Sequence, residues 1–254
     1  MKLKSPVYSL GYLLTGSLLL IIQGCARVPP GATFIGPQLI VSMTVASPGT
    51  INASYYYYVL FNATNNPVAS QGPTPVTSSP WGNGFAAGQF TGYVLADGSQ
   101  SFGGYGVYSY SLVPNTNPPK YQSIYLGSPI NTTPITPSST FIQFTIPLSQ
   151  LATSSLPASS ITAVQINFIN TDRVPLDPND PNPKEYDALG DARIPSQVND
   201  PITIPVQQAG TYTNASALDK EPEGDVQQCA SDGACTTVSN PSLDIVDWSV
   251  QVVQ

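Results

Sequence analysis

The chain has 254 residues, with 15 acidic against 8 basic side chains, a formal charge of −7 and no histidine. An acidic balance of this size excludes nucleic acid and anionic bilayer surfaces as electrostatic partners. The missing imidazole removes Ser-His-Asp and Cys-His catalysis and His-ligated zinc together.

Lys2 and Lys4 precede the apolar stretch LGYLLTGSLLLII, which runs from Leu10 to Ile22. A membrane-spanning helix needs roughly 20 apolar residues, so this stretch fits the core of a secretory signal peptide instead. It ends in IQGC, where Ile22, Gly24 and Cys25 resemble the lipobox of bacterial lipoproteins and Gln23 departs from it. The resemblance implies a signal peptide over 1–24, cleavage before Cys25, diacylation of its thiol and acylation of the new amino terminus. At about 0.8 kcal/mol per buried methylene, several acyl chains would hold the protein at a bilayer. It also implies the bacterial cell envelope as location, membrane lipid as a partner through acylated Cys25, and the outer membrane in a Gram-negative cell, because Ala26 rather than Asp follows the cysteine. Without Lys2 and Lys4, 6 basic residues face 15 acidic ones, a charge of −9.

Beyond a tether at 25–37, the chain is expected to form a single domain over 38–254. Pro and Gly punctuate it throughout, and short runs of Val, Ile, Tyr, Phe and Thr alternate between them, as in all-β folds. The strands expected in chain order are 38–46, 51–62, 85–95, 102–113, 121–126, 140–147, 161–170 and 243–253, with a shorter one at 202–206. Together they predict a two-sheet antiparallel β-sandwich, jelly-roll-like, with long Pro-rich loops. Asp97-Gly98 is read as a hairpin turn. Helix is expected only at 148–152 and at 184–189, where Pro183 could start it and Gly190 end it.

The run YYYY at 55–58 lies in the second of these strands. Alternation places Ile51, Ala53, Tyr55, Tyr57, Val59 and Phe61 on the core face. Tyr56 and Tyr58 then face outward, partly covered by a Pro-rich loop, and are candidate ligand-binding rings together with Trp248.

The segment FIQFTIPLSQLATSSLPASSITAVQINFINTD, residues 141–172, carries Ile146, Pro147, Leu148, Ser149 and Leu151 in a strand, proline turn and strand. It resembles the corresponding segment of family 9 carbohydrate-binding and DOMON-like β-sandwiches. The resemblance implies a jelly-roll-like sandwich that binds sugar or haem; with no histidine and only two methionines, the haem branch lacks its usual ligands.

Fourteen of the fifteen acids lie between Asp172 and Asp247, in or beside two long loops, 171–201 and 207–242. In the first, Asp177, Asn179, Asp180 and Asp187 offer oxygen donors suited to a hard cation, with calcium as the candidate cofactor. An acidic solvated loop is the alternative. With Cys25 acylated, Cys229 and Cys235 remain, and an exported chain favours a disulfide between them. Asp244 and Asp247, beside Trp248, are the least bland carboxylates for a catalytic pair. No constellation here supports an enzyme. The expected function is a lipid-anchored envelope protein with a binding or structural role, its candidate partners a glycan or an envelope protein. A carbohydrate-active hydrolase using loop carboxylates, or an assembly or adhesion subunit, is the alternative.

Overall fold

A computed structural model describes residues 36–97, 104–113, 115, 120–218 and 220–254. The signal segment, Cys25, most of the tether and Gly98 of the expected hairpin turn lie outside the described residues. The first strands are β1 (Gln38–Val45), β2 (Tyr56–Thr64), β3 (Pro73–Pro75), β4 (Ala86–Gly88), β5 (Gly92–Ala96), β6 (Tyr105–Val113), β7 (Lys120–Gly127) and β8 (Phe141–Pro147). After one helical turn, α1 (Leu148–Leu151), come β9 (Ala163–Thr171), β10 (Lys184–Ala188), β11 (Ile202–Pro205) and β12 (Gly210–Thr213). The chain closes with β13 (Gln227–Cys229), β14 (Cys235–Thr237) and β15 (Ile245–Val253).

The protein is an all-β sandwich of antiparallel sheets. The smaller sheet has the order β12-β15-β1-β8. The larger runs β14-β13-β10-β9-β2-β5-β6-β7, with β11 also paired to β9. Between the sheets, alternate residues of facing strands interdigitate: Leu39, Val41 and Met43 of β1, Tyr57, Val59 and Phe61 of β2, Val164, Ile166 and Phe168 of β9, and Trp248, Val250 and Val252 of β15. Each such side chain contributes roughly 1.5–3 kcal/mol by leaving water. Phe168 and Trp248 stack across the gap with ring centres 6.3 Å apart.

The other face of the large sheet carries a second core of Tyr58, Leu60, Phe85, Tyr93, Leu95, Ile169 and Tyr186. Phe85 comes from the connection after β2, whose ribbon β3-β4 supplies a covering layer. Double coverage explains why β9 is buried at every position and β2 at all but its ends.

The long strands follow the sequence pattern, and α1 falls where a turn is expected. The segment 184–189 does not. It forms strand β10 between β9 and β13, with Lys184, Tyr186 and Ala188 turned to one face and Glu185 and Asp187 to the other. Pro183 and Gly190 bound it as they would bound a helix; Gly190 adopts φ +96°, where an added Cβ would meet the Gln197 carbonyl oxygen at 1.8 Å. A second correction concerns Ala53, which is exposed because β2 begins only at Tyr56. Cys229 and Cys235 are disulfide-bonded and face each other across the β13–β14 hairpin.

Candidate functional site

Two places concentrate chemistry, one on the outer face of the large sheet and one at its charged end. The first starts from the 73–90 segment, which is pinned down from beneath. Lys184 of β10 is buried and donates to the carbonyls of Val76 and Gly84 at 2.9 Å each. Its Nζ lies 6.0 Å over the Trp81 ring, and the indole Nε1 donates to the Asp180 carbonyl at 2.8 Å. Burial pushes the Lys184 amine down to about 7, Asp172 opposing that shift and Arg173 adding to it. Next to these anchors, Asn83 Oδ1 accepts from the backbone N–H groups of Phe85 and Ala86. Its Nδ2 donates to Tyr110 Oη at 3.1 Å, which joins the covering segment to β6.

Where that cover ends, a groove of about 450 Å³ opens, lined by Asn62, Asn83, Gln89, Phe90, Thr91, Tyr110 and Tyr121. Phe90 and Tyr110 stack at 4.3 Å and 17°, and Tyr110 and Tyr121 at 5.4 Å and 6°. The ring row therefore continues from a buried end at Phe85 to Tyr121, which is 58% exposed. Amide and hydroxyl groups beside stacked aromatic faces suit a ligand with both an apolar face and hydroxyls.

The second place gathers acids. Asp187 leaves the inner face of β10, Asp244 lies one residue before β15, and Glu221 and Asp225 sit on the crossover from β12 to β13. All four are buried. Burial is the main cause that pushes the carboxyls of Asp187 and Glu221 well above the usual range, with the neighbouring carboxylates adding to it. Burial likewise raises Asp225 and Asp244, each to about 6, against hydrogen bonds from the backbone of Ala192 and Gly224. Neither this cluster nor any part of it lines the aromatic groove.

The residues singled out from sequence are dispersed. Tyr58 is buried, stacked on Phe85 at 4.4 Å and edge-on to Tyr93, so its ring faces protein. Tyr56 is half-buried beside it, at 6.3 Å. Trp248 is buried in the inter-sheet core and at the same time borders a cavity of about 320 Å³ lined also by Leu189, Ile202, Tyr212 and Leu218, apart from the aromatic groove. Asp177 caps its own turn by accepting from the Asn179 N–H, and Asp180 pairs with Arg173 and accepts from Asn182. Asp187 stands apart from that loop, in the buried acid cluster with Asp244. Asp247 is exposed and accepts from the Trp248 N–H.

Sequence reasoning missed Phe90, Tyr110 and Tyr121 as groove residues and Glu221 and Asp225 as partners of Asp187. The alternate tyrosines of the strands containing Tyr108, Tyr110, Tyr121 and Tyr125 were the available signal for the first group. No local signal existed for the second. Comparison with protein families, with curated proteins and with solved structures finds no match.

Proposed function

We propose that this chain is a lipid-anchored envelope protein with a binding rather than a catalytic role, and that its ligand is a glycan held in the aromatic groove. The observation that carries the reading is the stacked row Phe90–Tyr110–Tyr121 with the exposed Gln89 amide at its rim, the Asn62 and Asn83 side chains being held by bonds within the protein. Sugar rings present C–H faces that pack on aromatic rings and hydroxyls that pair with amides, which is the chemistry this groove offers. The lipobox at Ile22–Cys25 supports export and acylation at Cys25, with membrane lipid as the anchoring partner. The resemblance of 141–172 to carbohydrate-binding sandwiches supports the same ligand class; here that segment carries the chain from β8 of one sheet to β9 of the other. A hydrolase reading has less support, since Asp244 is buried while Asp247 is exposed and engaged with its own neighbour's backbone.

A glycan array probed with the full chain tests the proposal. Binding is expected for a defined set of glycans, and Tyr110→Ala and Tyr121→Ala should each weaken it at least tenfold. Because Tyr121 is largely exposed, its variant should keep the wild-type unfolding midpoint. A silent array, or binding unchanged in both variants, overturns the assignment.

A further inference from the structure

The buried acids at the charged end have a geometry of their own. One oxygen from each of Asp187, Asp225 and Asp244 lies within 4.8 Å of the other two. Calcium holds oxygens at 2.3–2.6 Å, so ligands on opposite sides of one ion stand up to about 5 Å apart; magnesium, at 2.0–2.1 Å, limits them to about 4.2 Å. The triad thus fits around one calcium ion as it stands.

A second observation comes from outside the triad. Glu221 is buried, and Asp187 and Asp225 are the charges that act on it most strongly, with Asp244 next. Its Oε2 accepts from the Gly190 N–H at 2.7 Å, and its Oε1 has no hydrogen-bond partner. Asp225 repeats the pattern, with Oδ2 on the Ala192 N–H and Oδ1 unpartnered. Asn170, across the ladder from Asp187, also keeps a buried, unpartnered Oδ1. A buried acceptor without a partner is costly, the more so when charged, so orphaned oxygens gathered at one end of the sandwich call for a cation.

The remaining oxygens are aligned as metal ligands usually are, by outer hydrogen bonds. Asp187 accepts from the N–H groups of Ala188 and Ile245, and Asp244 accepts from that of Gly224 through both oxygens. Asn214 exchanges bonds with the Glu221 backbone in both directions, which fixes where that side chain begins. Among the described residues the four make no ion pair; Arg193, which acts on Asp225 and Asp244 from a distance, is paired with Asp191.

We propose that Asp187, Asp225 and Asp244 form a calcium site, with the buried Glu221 carboxylate beside it, that ties the large sheet, the small sheet and the crossover between them. The donors are all oxygens, which selects a hard cation over zinc or copper.

The test is calorimetric titration of the full chain, stripped with EGTA, with calcium chloride and separately with magnesium chloride. One calcium per chain is expected, with a saturable rise in thermal midpoint and magnesium at least tenfold weaker. Glu221→Gln and Asp225→Asn should each weaken calcium at least tenfold. Hydrogen exchange on the unmutated chain locates the ion even if a variant fails to fold, through calcium-dependent protection at 187–193, 221–225 and 243–245. The proposal falls if stripped protein shows neither heat nor midpoint change at millimolar calcium. It falls equally if protection appears instead at 177–182, or if both variants respond as the wild type does.

Discussion

A lysine buried beside an indole is held in place by two carbonyls, and its charge is what the fold resists. The Lys184 amine sits near pH 7 in the folded protein because burial disfavours its charged form; Asp172 favours that form and Arg173 disfavours it. In the unfolded chain the same amine titrates near 10.5. Between these values the unfolded state binds more protons, so stability rises with pH across that window; below 7 both states are charged and the cost is fully present. The wild type should therefore be roughly 3 kcal/mol more stable at pH 9.5 than at pH 7, by this linkage alone. Lys184→Met keeps the stem and removes the titration, so its urea midpoint should stay flat over the same interval. Equal slopes for the two proteins would show that the amine is not the titrating group. The window stops short of pH 10, where the buried tyrosines Tyr93 and Tyr105, pushed up to about 12 by burial, begin to act in the opposite direction.

At the scale of elements, the covering segment 73–90 turns a one-faced sheet into a two-faced one. Phe85 is its wedge: it stacks on Tyr58 at 4.4 Å and meets Tyr93 at 5.2 Å and Phe90 at 6.1 Å edge-on. Phe85→Ala should cost about 3 kcal/mol, in the range for large aromatic truncations in a core. Amide exchange should then quicken in 73–90 well before it does in β9, since the segment would open without the sandwich unfolding. Uniform acceleration throughout the chain would mean that cover and sandwich unfold as one unit. The same segment explains what could be read in advance. Long strands such as β1 and β15 show their period of two because one side meets the core and the other does not. The ribbon strand β3 is Pro-Thr-Pro, and β13 and β14 are three residues each, so no period can develop. Strand β10 was hidden by Pro183 and Gly190, which punctuate a strand and a helix alike. Asp187 was visible as an acid, but Asp225 and Asp244 join it only through the topology, from later parts of the chain. In the YYYY run, alternation correctly sent Tyr57 inward and Tyr58 outward. What it could not supply was Phe85, which makes the outward ring a second core and moves the open aromatic surface to Tyr110 and Tyr121.

The whole molecule is closed by its last strand. β15 lies between β12 and β1, and β1 lies between β15 and β8, so the smaller sheet joins the beginning of the domain to its end. Its pairing with β1 runs from Gln38–Val253 to Val45–Ile245. Contacts this distant in sequence form late, because the loop between them must be closed first. Two-thirds of the way along the chain, then, the large sheet has most of its strands while the smaller has only β1 and β8. Trp248, Val250 and Val252 complete the inter-sheet core from β15, and β12 has no other neighbour in its sheet. Removing Ile245–Gln254 should therefore abolish the cooperative thermal transition rather than lower its midpoint, and leave a species that binds a hydrophobic dye. Removing Gln254 alone forfeits its Nε2 bond to the Val206 carbonyl and should cost about 1 kcal/mol. Circular dichroism melts of the two truncations separate these outcomes. A sharp transition in the longer deletion would mean that β1 and β8 fold on the large sheet without their partner, and that the closing strand is an addition to the sandwich rather than a condition for it.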